Sequence, residues 1–151
     1  MWVYLILGVI AILIISFLSS LSKDKKELEY LDLDAKFFLF VYKLNDYAFG
    51  GKGHKMYNNY VKGLDGSVKK DNRRFHLYET DSNQIILFDY STGHLTVTWK
   101  YKYLNHEVFH EKQFRNVRHT TDLDQLNMAK ALISEMEIVI QNHKNRVNSY
   151  G

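Results

Sequence analysis

His106-Glu107-Val108-Phe109-His110 matches the HExxH pattern. On an α-helix, residues four apart share a face. Both imidazoles could then ligate Zn²⁺ while Glu107 acts as general base on the metal-bound water. Such a site needs a third ligand, and Glu135 and His119 are the candidates. In a strand the two histidines still share a face but Glu107 points to the other, and the general-base geometry fails. The flanks favour the strand. Leu95, Val97, Trp99, Tyr101 and Tyr103 alternate with His94, Thr96, Thr98, Lys100 and Lys102 just upstream, and Leu104-Asn105 reads as a turn. Glu111 and Lys112 follow His110 directly, where a buried catalytic helix would continue apolar. With 7 histidines in the chain, a chance match is not remote. The expectation is two solvent-facing histidines on a strand, with no catalytic residue and no cofactor. The alternative is a zinc hydrolase built on His106, His110 and Glu135 as ligands and Glu107 as base.

Other chemistries are weaker still. The chain has no Cys, which excludes disulfides, thiolate metal sites and cysteine nucleophiles. No GxSxG elbow occurs among its serines. Gly50-Gly51-Lys52-Gly53-His54-Lys55 lacks the spacing of a phosphate loop and no strong strand precedes it, so a flexible loop after a helix is expected. Between residues 52 and 74, Lys52, Lys55, Lys62, Lys69, Lys70, Arg73 and Arg74 face only Asp65 and Asp71, with Tyr57, Tyr60 and Phe75 interleaved. A solvated surface is the plain reading. The alternative is a face for anionic headgroups or a nucleic-acid backbone. A formal net charge of +3 is too small to demand a polyanion, so nucleic acid is not expected as a partner.

The mean hydropathy of −0.32 hides a sharp division. Residues 1–21 contain no Asp, Glu, Lys, Arg or His, whereas all 20 basic and 17 acidic residues lie beyond Ser22. About 20 helical residues span the ~30 Å hydrocarbon core, and Trp2 and Tyr4 suit a headgroup layer. Residues 1–21 are therefore predicted to be a single transmembrane anchor and the contact with the membrane. A cleaved signal peptide would want a basic n-region and a shorter apolar core, although Ser16, Ser19 and Ser20 imitate a cleavage site. Lys23, Lys25 and Lys26 follow at once, which by the positive-inside rule puts the domain in the cytoplasm. Residues 22–34 read as a charged, solvated juxtamembrane exit.

Residues 35–151 are long enough for one domain with a real core. A helix capped by Asp34 is predicted from Ala35, with Phe37, Val41, Leu44 and Ala48 inward and Gly50-Gly51 as its stop. Short strands follow: a hairpin around Asp65-Gly66, then Phe75–Glu79, Gln84–Tyr90, the alternating run through Tyr103, and Glu107–Val117. Thr121 or Asp122 caps a last helix striped by Leu126, Ala129, Leu132, Ile133, Met136, Val139 and Ile140. The predicted fold is α+β: an N-terminal transmembrane helix, then an antiparallel β-meander packed by a C-terminal amphipathic helix. The predicted role is a membrane-anchored accessory module, non-catalytic, that holds a protein partner.

Overall fold

The alternating run from His94 to Tyr103 is the central ruler of the molecule. In the computed structural model, which describes residues 1–30, 32–57, 60–62, 64–70 and 72–150, it forms strand β6. Its odd-numbered side chains Leu95, Val97, Trp99 and Tyr101 are buried, as a period of two requires of a sheet covered on one face. Ahead of it come α1 (Trp2–Tyr30), α2 (Leu33–Lys36), α3 (Phe38–Phe49), β1 (His54–Met56), β2 (Tyr60–Lys62), β3 (Val68–Lys70), β4 (Arg74–Tyr78) and β5 (Gln84–Ser91). After it come β7 (His106–Phe114) and α4 (Asp122–Asn148). The result is the expected α+β arrangement: a long apolar N-terminal helix, an antiparallel sheet and a C-terminal helix.

The sheet has five strands in the order β1-β4-β5-β6-β7, all antiparallel. From β4 onward it is a plain meander. The β2–β3 hairpin, turning at Asp65-Gly66, forms a separate two-stranded ribbon between β1 and β4. One sheet face carries Phe75, Leu77, Ile86, Phe88 and Tyr90 in addition to the buried row of β6. Over it lie Phe40, Val41 and Leu44 of α3 and Met128, Ala129, Leu132 and Met136 of α4. Phe75 stacks on Phe88 with ring centroids 4.5 Å apart, and Phe40 meets Phe88 and Phe114 edge-on. Such offset and T-shaped pairs add about 0.5–1.5 kcal/mol each beyond area burial.

Several local expectations are met. Gly50 ends α3 in the left-handed conformation at φ 59°, and its N–H returns to the carbonyls of Asn45 and Asp46. Thr121 caps α4 in a full capping box: its side chain accepts from the Asp124 N–H and the Asp124 carboxylate accepts from the Thr121 N–H.

Four details differ. Asp34 caps nothing; it lies inside the short α2, and the chain kinks at Phe37 before α3 begins. Residues 54–56 form an edge strand rather than a flexible loop, paired with β4 in the register His54↔Tyr78 to Met56↔His76. Gly53 makes that entry possible, since a Cβ there would sit 2.6 Å from the Asn45 side-chain oxygen that accepts its N–H. The buried stripe of α4 is rotated from the predicted one and includes Gln125, Met128, His143 and Val147, with Leu126 and Ile133 only half-buried. Gln125 is buried because α3 lacks a cap of its own. Its Oε1 accepts from the Leu39 and Phe40 N–H groups at 3.0 and 3.3 Å, and its Nε2 donates to the Lys36 carbonyl at 3.1 Å.

The fourth difference is the largest. Helix α1 does not give way to a solvated exit after residue 21 but continues unbroken to Tyr30. Its apolar side chains from Trp2 to Leu18 are exposed, and the stretch Trp2–Lys26 is long and apolar enough to cross a membrane. Its last turns are part of the domain: Asp24 is wholly buried and Leu28 is 4% exposed.

Candidate functional site

The HExxH residues fold as strand β7, not as a helix. Four residues of strand separate His106 from His110 by about 13 Å along the chain, whereas two ring nitrogens on one zinc each lie about 2.1 Å from the metal. Trp99 of the buried row is the register partner of His110, so His110 points toward α4, while Glu107 lies on the opposite, exposed face. His110 is therefore not solvent-facing as expected. Its Nε2 lies 2.9 Å from Glu135 Oε2 on α4, and Lys112 Nζ donates to Glu135 Oε1 at 2.8 Å. The Glu135 carboxyl is held below the usual range, chiefly by the hydrogen bond from Lys112 and then by that from His110. His106 is elsewhere: its ring meets Tyr150, and its carbonyl lies 2.8 Å from His143 Nε2. Thus two of the four candidate ligands, His110 and Glu135, come together, with a lysine beside them, and His106 does not join them. Among the described residues no three His, Asp or Glu side chains converge as a metal site would require. His119, the other candidate, lines a cavity beside α1 that neither His110 nor Glu135 lines.

Among the described residues of the basic segment, two side chains are drawn into ion pairs. Lys52 is exposed. Lys55 Nζ reaches Asp34 Oδ2 at 3.0 Å, and Arg74 Nη2 reaches Asp89 Oδ2 at 2.6 Å. Arg73 is half-buried in the turn into β4. The side chains of Lys62, Lys69 and Lys70 lie outside the described residues. Asp34 also accepts from the Tyr57 hydroxyl at 2.5 Å. Burial alone would raise the Asp34 carboxyl, but the hydrogen bonds from Tyr57 and Lys55 outweigh it and hold it below the usual carboxylate range. Burial, and then the hydrogen bond to Asp34, pushes the Tyr57 hydroxyl the other way, far above its ordinary value.

The most developed polar constellation lies at the end of α1. Asp24 Oδ1 meets Arg118 Nη1 at 2.9 Å and accepts the Gly93 N–H at 3.2 Å, while Oδ2 accepts the Thr92 N–H. Thr92 and Gly93 form the two-residue β5–β6 turn with φ of 53° and 76°, the primed geometry that matches strand twist. That geometry turns two successive amides onto one carboxylate. Arg118 lies over Gly93: a Cβ there would meet Nη2 at 3.2 Å and Nε at 3.3 Å, so the glycine admits the guanidinium as well as the turn. Arg118 Nη2 also donates to Ser20 Oγ at 2.9 Å, and the Arg118 carbonyl accepts from Lys36 Nζ at 2.6 Å. The Val117 N–H donates to the Gly93 carbonyl at 2.9 Å. One carboxylate of α1 is thus tied to the β5–β6 turn and to the segment leading into α4.

Neither Asp24 nor Arg118 stood out in the sequence. The one available signal was that Asp24 is the single acid within Lys23-Asp24-Lys25-Lys26. Nothing local marks Arg118. Comparison of the chain with family models, curated proteins and solved structures finds no match.

Proposed function

We propose that this protein is a membrane-tethered accessory module that holds a protein partner at a set height and orientation beside the bilayer, rather than an enzyme. The observation that carries this reading is the clamp between Asp24, Arg118 and the Thr92-Gly93 turn. A flexible tether needs no such contact. A buried ion pair one turn past an apolar span makes sense where the domain must not swing on its anchor. The separation of Glu107 from the two histidines by the β7 pleat supports a non-catalytic role. The ion pairs of Lys55 and Arg74 favour this reading over an anion-binding basic face. Lys23, Lys25 and Lys26 favour a cytoplasmic domain.

Protease protection of the full chain tests the tether and its direction together. The protein should resist alkaline carbonate extraction. The domain should be shielded in intact cells and digested in inverted vesicles, with the N-terminal segment still attached by mass. Recovery in the soluble fraction, or of a chain lacking its first two dozen residues, overturns the proposal.

A further inference from the structure

We infer that the cavity between α1 and the domain is a binding site for the phosphate of an anionic phospholipid headgroup, drawn from the leaflet on the domain's side. The cavity measures about 470 Å³ and opens beside the clamp. Ser16, Ser19, Ser20 and Lys23 form its helical wall. Their spacing of three, four and seven residues puts them on one face of α1, where a lipid-exposed helix would otherwise be apolar all round. The facing wall comes from the segment after β7, with Asn116, Arg118 and His119.

Three features select the ligand. The first is charge. No lining residue is acidic, whereas Lys23 and Arg118 are cationic. Asp24 offsets one positive charge from outside the lining, through Arg118, and the site remains net positive. The second is preorganisation. Arg118 is already held by Asp24 and Ser20, so its charge is in position before a ligand arrives and little ordering is left to offset binding. The third is depth. Counting from Trp2 at about 1.5 Å per residue, the ~30 Å hydrocarbon core ends near Leu21. Ser19 and Ser20 then lie at the edge of the hydrocarbon and Lys23 reaches past it toward the lipid phosphates, while the serine wall runs on into the exposed apolar surface of Val9, Ile12 and Leu13, along which acyl chains can lie. A soluble anion would use the charge but not that surface. This site is separate from the basic segment 52–74, and it rests on the reading of α1 as a membrane span.

The test uses the full chain in mild detergent, titrated with phosphatidylglycerol or phosphatidylcholine and read by native mass spectrometry for retained lipid. One phosphatidylglycerol should be retained in preference to phosphatidylcholine. Lys23→Ala should weaken that retention at least about fivefold, the effect of one basic residue at a lipid surface. Lys23 is exposed and can be removed without disturbing the fold. Lys25→Ala, with the same change in net charge but outside the cavity, should leave retention unchanged. Equal loss with the two variants, or no preference for the anionic lipid, overturns the site. Displacement of the lipid by millimolar inorganic phosphate would identify a free-anion site and overturn the lipid assignment. A chain that stays dissolved without detergent defeats the membrane reading itself. A chain that needs detergent yet retains no phosphatidylglycerol defeats only the cavity.

Discussion

Two seams of this molecule each set one carboxylate against basic side chains, and they differ in depth. Where α1 meets the sheet, Asp24 is fully buried and the Arg118 side chain is 19% exposed. Where β7 meets α4, Glu135 is 41% exposed and its partners His110 and Lys112 are 28% exposed. The shallow seam carries the residues that the sequence advertised, and the deep one carries residues that it did not. Depth matters because water screens an exposed pair to about 0–1 kcal/mol, whereas stripping one partner from a buried pair leaves an uncompensated charge.

The comparison can be broken most directly at Arg118. Arg118→Ala should cost about 3 kcal/mol, toward the lower end for a broken buried pair because the arginine retains some solvent contact. Denaturant unfolding of the full chain in detergent measures this, and protease cleavage near the end of α1 should appear earlier than in the parent. A loss below about 1 kcal/mol would put the two seams in one class.

Gln125 sharpens the contrast by asking whether burial matters without charge. Gln125→Leu strands the Leu39 and Phe40 N–H groups, and the unsatisfied donors should cost about 2 kcal/mol in the same unfolding assay.

Tyr57→Phe probes a half-buried case. Losing the hydrogen bond to Asp34 should cost about 1 kcal/mol at neutral pH. Because the folded-state Asp34 value is lowered, its contribution is present above the ordinary carboxylate range and disappears as pH falls through that lowered value. The deficit of the variant should therefore shrink on acidification, as paired unfolding curves would reveal.

The smallest effect is expected at the advertised motif. Glu135→Gln should change stability by less than about 1 kcal/mol, since the pair is screened. The Glu135 carboxyl should titrate below the usual carboxylate range by NMR, so any contribution it makes is again lost toward acid rather than gained. A loss of several kcal/mol would mean that depth is not what separates the seams.

The open edge of the sheet follows the same logic of exposure. β7 is an outer strand and presents Glu107, Phe109, Glu111 and Gln113 on the face away from the helices. Charges at alternate positions on such an edge discourage pairing with another chain. The glutamate that fits a catalytic motif on a helix thus belongs to a charged strand margin here.

Much of the architecture was legible in the residues themselves, because it rests on periodicity. The alternation from His94 to Tyr103 fixes which side chains of β6 are buried, and the Asp65-Gly66 and Thr92-Gly93 pairs place hairpin turns between strands. Thr121, one of the two cap candidates, marks the start of α4, and the uncharged opening run folds as a long apolar helix. These are short-range effects, decided by backbone hydrogen bonding and side-chain direction within a few residues. What only the tertiary structure decided is which polar groups lose their water. Arg118 is 94 residues from Asp24, Gln125 is 86 from Leu39, and Glu135 is 25 from His110. A lysine-flanked aspartate reads as a solvated exit until the turn of a distant hairpin supplies two amides, and the segment leading into α4 a guanidinium, to replace its hydration.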